Sequence, residues 1–357
     1  MVSAGDDGTV RLWHADGTDE PEILSDHERR VCAASFSPDG RQVVSAGADW
    51  SVRLWRDNGT GAPLILKGHR GWVRAASFSP DGRRVVTAGD DSTVRLWHAD
   101  GTDEPLILRG HEGGVLAASF SPDGTRVVSA GGDGTVRLWH ADGTDEPEIL
   151  GSHEGGVWAA SFGPDGTRVV SAGWDGSVRL WHAEGTGEPL VFRGHEGWVL
   201  AASFTRDGTR VVSAGIDGRV GLWRADGTGE PLILRGYDRR VVAASFSPDG
   251  TRVISAGGDG TVRLWWADRN GTPLILRGHA GWVRAASFSP DGTRVVSGGD
   301  DRTVRVWRAD GAEEPEILGG HEGGVWAASF SPDGTRVISR GRTTPFDCGA
   351  PKAKPSP

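Results

Sequence analysis

Histidine and aspartate recur as partners along this chain, with a hydroxyl residue between them in sequence. His69, Thr87 and Asp91 form one such set, and His111, Ser129 and Asp133 another. A histidine, a hydroxyl and a carboxylate can make a nucleophilic hydrolase centre, and histidine with aspartate can hold a metal. Repetition argues against both readings. The pair returns in nearly every unit of the chain, whereas an active site occurs once, and no unique Ser/His/Asp or metal cluster breaks the pattern. A second series, His14, His98, His140 and His182, is spaced by whole units, too far apart to share a metal readily. The expectation is no catalytic residue, no metal and no cofactor.

Composition narrows the remaining classes. Of 357 residues, 56 are Gly and 19 are Pro, so about a fifth are turn formers, without the periodic glycine of collagen. Sixteen Trp stand against one Tyr and one Met, a lopsided count that points to a repeated motif. A net charge of −9 disfavours a nucleic-acid partner held through phosphates. No stretch approaches the ~20 apolar residues that cross a bilayer, and no basic-then-apolar start resembles a secretion signal. The expected location is cytoplasmic, with no membrane contact. Cys32 and Cys348 are too few and too far apart for a disulfide framework or a thiolate metal site.

The elements that must position these residues follow from the period. The string T/S-V-R-L-W, with small variations, ends at Trp13, Trp55, Trp97, Trp139, Trp181, Trp223, Trp265 and Trp307, each step 42 residues. A period of roughly 40–45 with strand-like content belongs to propeller blades. In the unit from Gly110 to Leu150, four strands are predicted. They are Val115–Ser121, with Val115, Ala117 and Ser119 on one side; Arg126–Ala130; Thr135–Trp139; and Glu148–Leu150. Turns at Pro122-Asp123-Gly124, Gly131 to Gly134 and Asp142-Gly143-Thr144 separate them. Both faces of each strand carry apolar or small residues, so one unit cannot bury itself and the stack must close into a ring.

These residues resemble the WD-repeat β-propellers. The likeness covers residues 2–339 and rests on a Gly-His pair, Ser-Pro-Asp-Gly, an Asp six residues before Trp, and the Trp itself. The residue after Trp is His, Arg or Trp, as at His14, Arg56 and Trp266, never the Asp that names the family. The resemblance implies a buried hydrogen-bond chain of His, Ser/Thr, Asp and Trp in each blade. Carried over, the sets include His69, Thr87, Asp91 and Trp97, then His111, Ser129, Asp133 and Trp139, with equivalents at His27, His153, His195 and His279. Tyr237 replaces His beside Ser255, Asp259 and Trp265, so that blade's chain is expected to be broken or rebuilt and the blade to be the loosest.

Eight first strands and eight third strands favour an all-β, closed, eight-bladed propeller of four-stranded antiparallel blades. The alternative is seven blades with one repeat left over. The eighth blade is expected to be split, residues 325–339 supplying its inner strands and residues 9–24 its outer ones, with His321 and Ser339 paired to Asp7 and Trp13. Joining the ends removes exposed edges. The propeller is assigned to 1–339 and an irregular, disordered tail to 340–357. A one-base shift in a permitted choice of codons turns Arg342 to Gly349 into A-D-D-A-V-R-L-W, the missing third strand. Met1 stands where other repeats have Val43, Val85 or Val127, as a GTG start would give. The tail therefore reads as a frameshifted repeat, and the chain as a fragment of a longer gene product.

Three positions per unit vary most in chemistry. Two flank the leading Val of the first strand: Arg30/Cys32, Trp72/Arg74, Gly114/Leu116, Gly156/Trp158, Trp198/Leu200, Arg240/Val242, Trp282/Arg284 and Gly324/Trp326. The third precedes the network Asp: Ala48, Asp90, Gly132, Trp174, Ile216, Gly258, Asp300 and Asp6. The flanking pair are two apart and share a strand face, and all three belong to one end of the sheet. They are predicted to ring one mouth of the channel, the usual partner-binding face of the family resembled. Trp and Arg are hot-spot residues. Trp158, Trp174, Trp198, Leu200 and Ile216 are expected to form an apolar arc across adjacent blades. Trp72/Arg74 and Trp282/Arg284 form amphipathic corners, and Trp326 completes the partner-binding set. Asn58-Gly59-Thr60 and Asn270-Gly271-Thr272 match the glycosylation pattern but read as turns.

The resulting expectation is a non-enzymatic, monomeric platform for a protein or peptide, part of a larger bacterial signalling or regulatory protein. No phosphate-binding or kinase motif lies in this chain, so such a domain would stand upstream. The alternatives are a propeller hydrolase with its site at the channel mouth and a truncated repeat product without a selected partner.

Overall fold

Short runs of β-branched residues between turn formers make strands rather than helices here. A computed structural model describes residues 9–17, 21–25, 27–56, 61–185, 187–269, 271–319 and 321–342. They form thirty-two strands in eight antiparallel sheets of four, and no α-helix is present among the described residues. The sheets, numbered I to VII in chain order, span residues 31–67, 73–109, 115–152, 157–193, 199–235, 241–277 and 283–318. Sheet VIII takes its first two strands from Gly324–Phe330 and Arg336–Arg342 and its outer two from Thr9–His14 and Glu22–Ser25. Ser339 pairs Arg11 and Val337 pairs Trp13, so segments near both ends of the described chain share one sheet. First strands of successive sheets touch, and the second strand of sheet VIII meets the first strand of sheet I, which completes the ring.

The last strand continues through Arg342, three residues beyond the boundary expected at Ser339, because Arg340, Gly341 and Arg342 pair through backbone with Ala327, Val325 and Gly324. Backbone pairing needs none of the motif's side chains. Residues 343–357, Met1, Asp6, Asp7, Asn58 to Thr60 and Asn270 lie outside the described residues.

Apolar cores form between sheets rather than within them. Val44, Val52 and Leu54 of sheet I pack with Val73, Phe78, Val85 and Trp97 of sheet II, and this sharing repeats around the ring. All eight first strands carry a bulge after the leading Val, as between Val115 and Ala117. The extra residue shifts the phase of the strand. Val115, Ala118 and Phe120 are therefore buried in one core, while Ala117 packs in the next; the expected grouping of Val115 with Ala117 and Ser119 is corrected accordingly.

A second tie between sheets was not read from the sequence. The arginine opening the second strand donates to backbone carbonyls of the following sheet. Arg84 reaches Ala141 and Gly124, Arg126 reaches Ala183 and Gly166, and Arg210 and Arg252 repeat the pattern. Arg294 bonds Ala15 and Gly334, and Arg336 bonds Gly40, which clasps sheet VIII to both neighbours. These bonds run from 2.5 to 3.3 Å. Each guanidinium also lies over the next sheet's phenylalanine, from 5.3 Å for Arg84 on Phe120 to 5.8 Å for Arg126 on Phe162. Gln42 replaces the arginine in sheet I, and Arg168 in sheet IV binds Asp165 of its own turn at 2.9 Å instead.

Candidate functional site

The histidine–aspartate pairs are assembled as a relay inside sheets I to V and VII. In sheet III, Trp139 Nε1 donates to Ser129 Oγ at 2.8 Å. Ser129 Oγ lies 2.8 Å from His111 Nε2, and His111 Nδ1 lies 3.0 Å from Asp133. A carboxylate on Nδ1 keeps the proton there, so Nε2 accepts from the serine. The same chain holds at His69, Thr87, Asp91 and Trp97. It recurs in sheets I, IV, V and VII. Two further members stand in the T-V-R-L-W string. Thr93 Oγ1 donates to Asp91 at 2.7 Å, and Arg95 lies 3.5 Å from it. Sheet V has Gly221 where the arginine belongs, and Arg219 fills the role, 3.8 Å from Asp217 and 2.5 Å from Glu196.

Electrostatics follow from this enclosure. Asp91, although partly desolvated, is held well below the usual carboxylate range by hydrogen bonds from His69, the Arg70 amide and Thr93. Burial lowers His111 and His153 against the opposing pull of their aspartates. The His69 and His111 side chains are 0 % and 1 % exposed, so neither can touch a substrate. No group of three metal-ligating side chains occurs among the described residues. His98 and His140 sit at the surface 3.9 and 3.8 Å from Asp103 and Asp145.

Tyr237 rebuilds the chain in sheet VI. Its hydroxyl lies 3.0 Å from Ser255 Oγ and donates to the Ser255 carbonyl at 2.9 Å, while Trp265 donates to the same Oγ. Asp259, without an imidazole, takes Arg263 at 2.6 Å, and that guanidinium covers the tyrosine ring at 4.0 Å. In sheet VIII, His321 Nε2 lies 3.1 Å from Ser339, and its ring stands 6.4 Å from that of Trp13.

The three variable positions do meet at one mouth of the ring. In each of sheets I to VII, the residue before the network Asp donates its amide to the carbonyl of the residue before the leading Val. Asp90 N to Trp72 O is 2.8 Å, and Trp174 N to Gly156 O is 2.9 Å. The residue after that Val is the bulge residue, which re-aims its side chain toward the rim. No sequence pattern marked the bulge, although the chemical variability it carries was visible.

Two sectors result. Across sheets IV and V, Trp174 stacks on Trp198 with centroids 5.1 Å apart, and Trp158 lies 5.7 Å from Trp174 and 6.5 Å from Trp198. The indole N–H groups of Trp158 and Trp174 are enclosed with no acceptor among the described residues. Leu200 and Ile216 are half-buried on sheet V, and Ile216 N bonds Trp198 O at 3.0 Å. Around the other side, arginines and tryptophans alternate. Arg240 lies 6.0 Å over Trp282, Arg284 lies 4.4 Å over Trp282 and 4.3 Å over Trp326, and Arg30 lies 5.3 Å over Trp326 and 6.0 Å over Trp72. Arg74 completes the run 4.8 Å over Trp72. Arg74 and Arg284 also grip Asp90 and Asp300 through paired bonds of 2.7 and 2.8 Å.

The opposite mouth holds a cavity of about 500 Å³ lined by Phe36, Phe204, Phe246, Phe288 and Phe330 with neighbouring Ser-Pro turns. These residues are nearly constant between repeats, so variability gave no reason to single them out.

The family model of the IFT122 first beta-propeller matches residues 1–265. The model of the WD domain, G-beta repeat, matches residues 272–308 and 313–342. No curated protein matches the chain.

Proposed function

The chain belongs to the WD-repeat β-propeller family, and on that basis we propose that it is a non-enzymatic platform docking a protein or peptide segment on its variable rim. Propellers of this family generally mediate protein–protein interaction. The observation that carries the reading is the stack of Trp158, Trp174 and Trp198 across two sheets. Buried aromatic clusters are the usual anchors of interfaces. Two orphaned indole donors weaken the isolated fold, which fits a cluster kept for contact rather than for stability.

The test is a random peptide library selected on the folded chain, with affinities read by fluorescence anisotropy. Replacing Trp158, Trp174 and Trp198 together with Ala is expected to weaken selected peptides by about tenfold or more while circular dichroism stays unchanged. Undiminished binding would overturn the assignment of the docking surface.

A further inference from the structure

Sheets I and II share a set of rim residues with sheets VI and VII. Arg30, Trp72, Arg74 and Asp90 recur as Arg240, Trp282, Arg284 and Asp300, each 210 residues later. The geometry recurs with them. Arg30 and Arg240 each lie 6.0 Å over the tryptophan of the next sheet. The second arginine covers the same ring and is neutralised by its aspartate.

Each copy therefore holds two arginines against one aspartate. Arg74 and Arg284 have their forks occupied by carboxylates. The guanidinium groups of Arg30 and Arg240 have neither an ion pair nor a hydrogen-bond acceptor among the described residues. Stacking on an aromatic face leaves the in-plane N–H donors at the guanidinium edge, arranged to take a carboxylate through two parallel bonds. Trp72, 37 % exposed, offers apolar surface beside that edge.

We propose that Arg30 on Trp72 and Arg240 on Trp282 are twin carboxylate-binding sites through which the rim takes an acidic peptide segment. This assignment rests on the reading of the rim as a docking face and adds the chemistry of its partner. The charge left over in each copy calls for one carboxylate, so the segment carries at least two acidic side chains. The protein's net charge of −9 opposes long-range capture of a polyanion. The attraction is local, which selects a peptide with placed carboxylates over a nucleic acid.

The experiment uses the same selected peptides. They are expected to be enriched in Asp and Glu. Arg30→Gln and Arg240→Gln are each expected to weaken binding about tenfold. The double variant should lose more than either. Changing the peptide's Asp and Glu to Asn and Gln should reproduce the loss and leave no further effect of the double variant. Arg30→Lys, which keeps the charge but not the fork, should restore only part of the affinity. Binding indifferent to both arginines and to the peptide's charge would overturn the proposal. So would displacement of the peptide by a single-stranded RNA oligonucleotide at equal potency. Loss on replacing Trp158, Trp174 and Trp198, with no effect of the arginine variants, would refute the twin sites and leave the docking rim standing. A library that yields no binder would refute both.

Discussion

In sheets I to VII one hydroxyl serves two neighbours at once. Thr87 Oγ1 accepts from Trp97 at 2.9 Å and lies 2.7 Å from His69 Nε2, all in the interior. Removing it strands a buried donor and a buried acceptor, which is costlier than losing a hydrogen bond between exposed groups. Thr87→Ala is expected to destabilise the protein by about 2–4 kcal/mol, read from urea unfolding midpoints; Thr87→Ser should restore most of it. A loss below that of a surface Thr→Ala control would show that the relay contributes nothing. The histidines add a pH dependence. The folded-state values of His111 and His153 lie below their ordinary 6.5, and that of His321 falls to about 3 through burial and the nearby Arg11. The unfolded chain thus binds more protons than the folded one as pH falls through 6.5, so their contribution is full above that value and declines below it. The network carboxylates, also depressed, begin to lose theirs only below their ordinary 3.8. Stability is expected to fall from about pH 6.5 downward as the histidines protonate in the unfolded chain, and to go on falling as the carboxylates join below 3.8; a urea midpoint flat between about pH 6.5 and 5 would contradict it. The His, hydroxyl, Asp and Trp of this chain were legible because their spacing repeats. The arginine and the second hydroxyl were not singled out, because their contacts to Asp depend on side-chain direction across the strand turn.

The turn between first and second strands shows how one residue redirects a contact between elements. In sheet III, Ser121 Oγ donates to Asp123 at 2.5 Å, a bond that holds the carboxyl at about 2. With Asp123 occupied, Arg126 is left to bind the next sheet. Sheet IV has Gly163 in place of that serine, and Asp165 captures Arg168 instead. A Cβ at Gly163 would stand 3.2 Å from Asp165 Oδ1 and 3.4 Å from Phe204, so a serine fits once the carboxylate turns. Gly163→Ser is therefore expected to return Asp165 to the turn and release Arg168 toward Gly208 and Ala225. The gain should be about 1–2 kcal/mol, a rise of roughly 1–3 °C in Tm; an unchanged or lower Tm would count against the coupling. A backbone effect can be tested alongside it. Ser92 takes φ 63° and Arg302 φ 69° where other sheets have Gly134 or Gly260, a region that disfavours side chains. Ser92→Gly should stabilise by about 1 kcal/mol, and destabilisation in urea would refute that. The strands themselves were plain from alternating β-branched runs and Gly-rich turns. The bulge was not, since a bulge arises from pairing between strands and leaves no mark in the spacing of one.

At the scale of the whole molecule, eight repeated tryptophans favoured eight sheets over seven with one repeat left over, and the surplus of half-units at each end pointed to a shared one; the structure has eight. Sheet VIII is nonetheless unlike the rest, because no covalent turn joins Thr9–His14 to Arg336–Arg342. The outer segment contributes Val10, Leu12, Trp13 and Leu24 to a core shared with Val304, Val325, Val337 and Ile338, and Arg294 fastens its Ala15 carbonyl at 3.2 Å. Without that segment the strand Arg336–Arg342 becomes an open edge with apolar neighbours uncovered, a template for pairing with another chain. A variant starting at residue 27 is expected to elute as oligomers in light-scattering chromatography. A synthetic peptide of residues 9–25, supplied in excess, should return it to the size of the full chain, because it restores both the missing strands and the buried face of the core. The truncated variant remaining at the full chain's oligomeric state and stability would mean that sheet VIII closes nothing. Oligomers that the peptide fails to dissolve would mean that closure needs the covalent tether, and the strand pairing alone would then be too weak to complete the ring.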